Sequence, residues 1–200
     1  MIGFMGAHRV GKTTLCRKLV ESSMNMAEVE VSISEMQRGM GFDSANQSYD
    51  WETRKKIQTR LLTLFGEILR DSANLTGVLR MQHVRIDITE RTPLDLVGYL
   101  LLNAPEHVSK EDAEWIMNYI NACIALTNEY YSKVILVQPG IAYVDSEKSA
   151  GEDTMDKLNA IYLSVLMDGS LTVDRVVIPS EMTDLDERMN FILRGIYAKS

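Results

Sequence analysis

The sequence is poor in cysteine: Cys16 and Cys123 are the only two. Two thiols so far apart can build neither a disulfide framework nor a four-ligand zinc site, and both read as thiols buried on helices. Long apolar runs are also lacking. None approaches the roughly 18 residues of a bilayer-spanning helix, so no membrane partner is expected. Positive charge is in short supply, with 21 Lys and Arg against 28 Asp and Glu, a net charge of −7. A chain of that sign repels a nucleic-acid backbone. Polymeric nucleic acid is therefore not an expected partner, whereas a single nucleotide carried with a metal ion remains compatible. No internal repeat, low-complexity tract or basic leader stands out. The expectation is a cytoplasmic chain whose 200 residues fold as one domain around one core.

What is present is a globular balance, 46% hydrophobic and 24% charged, arranged as short apolar runs alternating with longer helical patterns. That alternation marks stacked βαβ units and a mostly parallel sheet. Strands are expected over 2–5, 28–32, 83–88, 133–138 and 173–178. Helices are expected over 11–23, 34–39, about 50–74, from Thr92-Pro93 onward, 109–130, 152–167 and 183–198. Asp50 serves as an N-cap, Pro93 sits in a first turn where its missing N–H costs nothing, and Ser109 to Asp112 comes close to a capping box. The turn-rich stretches 41–50 and 140–151 are a candidate substrate-side loop and a candidate lid.

The most specific signal is Gly6-Ala7-His8-Arg9-Val10-Gly11-Lys12-Thr13, a full match to the phosphate-binding pattern G-x-x-x-x-G-K-[ST]. It follows an apolar strand and precedes the helical run from Thr14. Glycines permit the backbone angles that turn successive N–H groups inward, and the helix N-terminus adds its partial positive charge at the same point. The expected ligands are ATP and Mg2+, with residues 6–14 around the phosphates. Lys12, an exposed loop lysine on this reading, reaches the β- and γ-phosphates, and the Thr13 hydroxyl ligates magnesium. His8 and Arg9 occupy variable positions, free either to touch phosphate or to face solvent.

A second site is expected at Glu90-Arg91, where a strand ends and a helix begins, because ligands of open α/β sheets lie at the carboxyl ends of strands. An acid there can hold magnesium or accept a hydroxyl proton, and an arginine can grip phosphate with paired donors. The bland alternative is a helix-start acid beside a solvated arginine. Asp87 ranks below Glu90, as a magnesium-side acid or one half of an ion pair, and the helix dipole alone accounts for Asp95.

Together the loop, Ile57-Gln58 in a long helix, and Thr89-Glu90-Arg91-Thr92-Pro93-Leu94-Asp95 resemble the P-loop nucleoside and nucleotide kinases. The likeness is to the branch with nicotinamide riboside kinase domains and phage deoxynucleoside monophosphate kinases. The resemblance implies an α/β three-layer P-loop fold, a five-stranded parallel sheet between helices of the nucleoside monophosphate kinase kind. It also implies that Arg91 holds the acceptor's phosphate or 5′ group, that Glu90 supports magnesium, and that Gln58 faces the acceptor base. Arg38 is a further candidate for the acceptor side, with Arg54 near. One departure stands out: such kinases bring lid arginines onto the transferring phosphates, yet no arginine lies between Arg91 and Arg175.

The leading expectation is transfer of the ATP γ-phosphate to a nucleoside monophosphate, with Arg91 acting on the acceptor and not on ATP. The alternatives are a nucleoside or nicotinamide riboside acceptor, or a nucleotide-dependent regulatory NTPase using the helix around Trp115 as an interaction face. The oligomeric state is left open, a homodimer included.

Overall fold

A computed structural model describes residues 1–23, 25–42, 49–79, 85–141 and 152–197. Most of the candidate substrate-side loop (43–48), most of the candidate lid (142–151) and the first residues of the expected third strand (83–84) lie outside them.

Five strands, β1 (Ile2–Met5), β2 (Met26–Val29), β3 (Ile86–Thr89), β4 (Lys133–Val137) and β5 (Asp174–Ile178), form one sheet in the order β2-β3-β1-β4-β5. All four pairings are parallel. Central strands of such a sheet are covered on both faces, which is why β1 and β4 read as unbroken apolar runs. Every residue of β1 is buried, and so is β4 after Lys133. The edge strands β2 and β5 turn Glu28, Asp174 and Arg175 to solvent.

Seven helices complete the described chain: α1 (Lys12–Ser22), α2 (Ile33–Gly39), α3 (Trp51–Leu79), α4 (Pro93–Leu102), α5 (Lys110–Tyr130), α6 (Glu152–Leu166) and α7 (Leu185–Tyr197). α1 packs on β1, β2 and α7, and α7 on β5; α4 packs against α3, α5 and α6. The result is the expected three-layer α/β sandwich. The caps read from the sequence are in place: Asp50 Oδ1 accepts from the Thr53 N–H at 2.8 Å, and Ser109 Oγ from the Asp112 N–H at 3.0 Å. Both cysteines are buried free thiols.

Two elements differ most from their expected bounds. β2 lies at Met26–Val29 and not at 28–32, because its register with β3 runs from Met26↔Ile86 to Val29↔Thr89. Ser32 is spent instead on capping α2, accepting from the Glu35 N–H at 3.3 Å. α3 continues past the expected end near 74 to Leu79. Asp87 proves to be half of an ion pair, 2.8 Å from Arg85 Nε and 3.0 Å from the Ser72 hydroxyl. The aromatic stripe on α5 is divided: Tyr119 is core and Trp115 stacks on it at 5.3 Å, while Met117 is exposed.

α4 and α6 touch closely because Gly98 has no side chain. A Cβ there would stand 2.1 Å from Tyr162 Cε1, and Tyr162 is fully buried with no room to swing away. Alanine favours a helix over glycine by about 1 kcal/mol, but overpacking a core costs about 1–3 kcal/mol, so the clash wins. Gly98→Ala is expected to lower the thermal unfolding midpoint by a few degrees, whereas an unchanged or raised midpoint would show that the α4–α6 contact is loose.

Candidate active site at the carboxyl ends of the strands

The phosphate loop leaves the carboxyl end of β1 with three residues at positive φ: Gly6 (143°), Arg9 (62°) and Gly11 (95°). Gly6 is required twice over, since a Cβ there would also meet the Val137 carbonyl oxygen at 2.5 Å. Ala7 and Val10 are buried and contribute backbone, whereas Arg9 points to the surface and Thr14 is exposed on α1. Lys12 is not an exposed loop lysine. It is 4% exposed, and its Nζ donates to the carbonyls of Gly6 (2.8 Å) and Ala7 (2.6 Å). Burial, then the charge of Arg91, pushes Lys12 down to about 7 against the pull of Asp95 and Glu90.

Beside the loop stands a fully buried carboxylate, Asp95. Its Oδ2 accepts from the Thr92 N–H (2.8 Å) and hydroxyl (3.1 Å). Its Oδ1 accepts from the Gly6 N–H (3.4 Å) and from Arg91 Nη1 (3.2 Å). The helix dipole is therefore only part of the reason for an acid at this position. Arg91 is drawn into the loop as well: Nη1 reaches the Gly6 carbonyl at 3.4 Å, and Nη2 lies 3.3 Å from His8 Nδ1. Burial works against the Arg91 charge, but Asp95 first, then Tyr99, Tyr162 and Glu90, outweigh it and hold the guanidinium more firmly protonated than an ordinary arginine. His8 moves the other way, down to about 4, through burial and then through Arg91, Lys12 and Arg9. A neutral His8 accepts at Nδ1 from Arg91 and keeps its proton on Nε2. The Tyr131 hydroxyl, 3.0 Å from Thr89 Oγ1 and 3.3 Å from the Arg91 carbonyl, pins the end of β3 below this cluster.

Next to the loop opens a cavity of about 670 Å³, within the size range of small-molecule sites. His8, Thr13, Glu90 and Arg91 form the wall nearest the loop. α3 contributes Arg54, Ile57, Gln58 and Leu61, α4 contributes Leu96 and Tyr99, and α2 contributes Gln37. The carboxyl end of β2 and the residues after it supply Glu28, Glu30 and Val31. The structure thus brings Thr13, Glu90, Arg91 and Gln58 to one cavity, while Lys12 stays buried in the loop on the Gly6 and Ala7 carbonyls. It does not bring in Arg38, which lies exposed on α2 with its Nη2 3.8 Å from Glu35 Oε1 and its Nε 3.4 Å from the Ser34 carbonyl. Sequence reading missed Glu28, Glu30, Gln37 and Tyr99. The two glutamates were within reach of the same rule that found Glu90, had β2 been placed in its true register.

Gln58 is 5% exposed, and the Tyr119 hydroxyl donates to its Oε1 at 2.9 Å. The amide nitrogen is then the group Gln58 has left to offer. Gln37 is buried as well, and its Oε1 has no hydrogen-bond partner.

No protein-family model and no curated protein matches this sequence. Solved structures do match across nearly its whole length. Thymidylate kinase from Candida albicans superimposes with a TM-score of 0.68 at 11% identity, covering 98% of this chain and 89% of that one. Deoxyadenosine kinase from M. mycoides, with dCMP and dCDP bound, gives 0.64 at 17% identity over 98% and 97% of the two chains. YorR protein from Bacillus subtilis, in complex with phosphorylated GDP, gives 0.51 at 13% identity over 98% and 94%. What is shared at these identities is the fold: this chain has the three-layer α/β architecture of P-loop nucleotide kinases.

Proposed function

We propose that this chain is an ATP-dependent phosphotransferase whose acceptor is a nucleoside bound in the cavity beside the phosphate loop. The observation that carries the reading is the shared wall: Thr13 from the loop and Glu90 and Arg91 from the end of β3 all face one cavity. One solved kinase of the same fold, a deoxyadenosine kinase crystallised with deoxynucleotides, supports a nucleoside acceptor, while a thymidylate kinase of that fold supports a phosphorylated one.

In this reading the inward N–H groups of the loop and the start of α1 take the phosphates, and Lys12 exchanges the Gly6 and Ala7 carbonyls for phosphate oxygens. The exposed Thr13 hydroxyl and the half-buried Glu90 carboxylate are oxygen ligands of the kind magnesium takes, so the residues fit the ion. Bound there, it would neutralise charge on the β- and γ-phosphates. The acceptor oxygen forms its bond to the γ-phosphorus as the bond from that phosphorus to the bridging oxygen breaks. ADP leaves with the electron pair, and the hydroxyl proton passes to a cavity carboxylate. Glu30, just beyond the last residue of β2, is the group assigned to that role.

The charges in the cavity favour a nucleoside over the monophosphate acceptor that motif reading put first. Glu28, Glu30 and Glu90 line it against Arg54 and Arg91, and Arg91 is already paired with Asp95. A phosphate dianion would meet three carboxylates, while a neutral hydroxyl gains a proton acceptor. Arg54 is the feature that keeps the monophosphate as a second reading. For the base, a donor on Gln58 and an unpartnered acceptor on Gln37 complement an edge that sets a ring nitrogen beside an amino group. Adenine and cytosine present that edge; thymine presents N–H in its place.

Thermal-shift titration with Mg-ATP is expected to show stabilisation by adenosine- or cytidine-class nucleosides above that by their monophosphates or by thymidine, since a ligand that binds the folded state raises the midpoint by mass action. A larger shift with monophosphates would return the acceptor to the phosphorylated class. Glu30→Gln should lower kcat by roughly 10²–10⁴-fold with little change in nucleoside KM; a wild-type rate would remove Glu30 from the proton path.

Lys12 carries a pH signature. Free, it titrates at about 7, and phosphates beside it must raise that value. ATP binding at pH 8 is therefore expected to take up about one proton, and affinity should fall as pH rises above 7. Calorimetry in buffers of different ionisation enthalpy measures the uptake, and a value of zero would mean that Lys12 is already charged in the free protein. Because Arg91 bonds to the Gly6 carbonyl, Arg91→Lys should weaken ATP and acceptor together, roughly ten- to a hundredfold each. Loss confined to the acceptor would show that the loop does not depend on Arg91.

A further inference from the structure

Behind the phosphate loop, away from the acceptor cavity, the chain segments that follow β4 and β5 come into backbone contact. A Cβ on Gly140 would stand 2.0 Å from the Ser180 carbonyl oxygen. Into this junction the first turn of α7 sends Arg188, which is 1% exposed. Its Nη1 donates to the carbonyl of Val10 in the phosphate loop at 2.9 Å, and its Nε donates to the Met182 carbonyl in the turn between β5 and α7. Nη2 is buried and has no hydrogen-bond partner. None of the ion pairs among the described residues includes Arg188.

A guanidinium cannot shed its charge at any pH a protein survives. Buried without a counter-ion it is costly, and two carbonyl dipoles repay only part of that cost. Arg91, the part-buried arginine on the other side of the loop, shows what a compensated charge looks like, with Asp95 against it. Among the described residues no carboxylate answers Arg188, and the ligand of the loop brings negative charge to Val10 and Gly11.

We infer that Arg188 is a positioning residue of the ATP side: it ties the phosphate loop to the β5–α7 turn, and the triphosphate of the bound nucleotide supplies the counter-charge that no described residue gives it. The inference rests on the ATP reading above. It also answers the absence of arginine between Arg91 and Arg175, for the cation reaches the loop from behind, on α7.

The test uses the full chain as wild type, R188Q, which removes the charge and keeps a donor, and R188K, which keeps the charge and loses the fork. ATP labelled with a fluorescent ribose group is titrated over a range of NaCl concentrations without acceptor, and unfolding is followed with and without Mg-ATP. R188Q should bind ATP roughly ten- to a hundredfold more weakly than wild type, with a shallower salt dependence. R188K should bind with intermediate affinity and the wild-type salt dependence. The nucleotide-induced rise in melting temperature should shrink in R188Q while acceptor binding stays as in wild type. Variants that melt lower without nucleotide, yet keep wild-type ATP affinity and salt dependence, would make Arg188 a scaffold residue and overturn the inference. Should R188Q fail to fold, R188K decides: weaker ATP binding with undiminished salt dependence supports the inference, and unchanged affinity overturns it. Failure of the wild type to bind ATP would overturn the ATP reading itself, and with it the counter-charge named here.

Discussion

A single buried carboxylate organises the site. Asp95 is fully enclosed, and a carboxylate in that position is tolerated only when its lone pairs are filled by good donors. Four donors do so, and each comes from a part of the site that must be held in place. The Gly6 N–H fixes the start of the phosphate loop, Arg91 is held across the end of β3, and the Thr92 N–H and hydroxyl close the first turn of α4. The loop after β1 and the acid-arginine pair after β3 are adjacent because β1 and β3 pair in parallel, and Asp95 converts that adjacency into a definite spacing.

From this arrangement the remaining electrostatics follow in sequence. Arg91, compensated by Asp95, stays charged and lies against His8, which burial first and then this charge keep neutral. The same charge, added to burial, leaves Lys12 titrating near neutrality and bonded to its own loop. With Arg188 behind the loop, three cationic side chains converge on one turn of backbone with one carboxylate fully buried among them. An acidic protein can therefore present a local site for a polyanion, since placed charges at short range in a low dielectric outweigh a diffuse net charge screened by salt. At the end of β2 Glu28 and Glu30 reverse the sign, so the walls of one cavity differ in charge.

Local patterns in the sequence already determined much of this. The phosphate loop was legible because its requirements are local: glycines where φ is positive, a lysine and a threonine at the start of a helix, an apolar strand before them. The order of strands and helices was legible from apolar period, and the caps at Asp50 and Ser109 from residue type alone, because hydrogen bonds between residues three apart do not depend on the rest of the fold. Glu90 and Arg91 could be singled out since the ends of strands are visible in period, whereas Gln58 came only from the resemblance to P-loop kinases.

Tertiary structure decided what these groups face. A register against β3 placed β2 at Met26–Val29 and so put Glu28 and Glu30 at the cavity, whereas apolar patterning alone put the strand two residues later. Asp95 looked like an ordinary helix-start acid until the fold set it against Gly6, 89 positions away in sequence. Taken alone, Arg91 looked solvated from its sequence context, and the fold bonded it to Asp95 and to the Gly6 carbonyl. Arg38 looked available, but α2 turns it outward. Arg188, 178 positions from the carbonyl it holds, carried no signal at all, since a lone arginine in an amphipathic helix reads as solvated. Sequence determines a contact when its partners lie within a turn or a strand of each other; burial, counter-charge and cavity walls come from chain segments that only the sheet brings together.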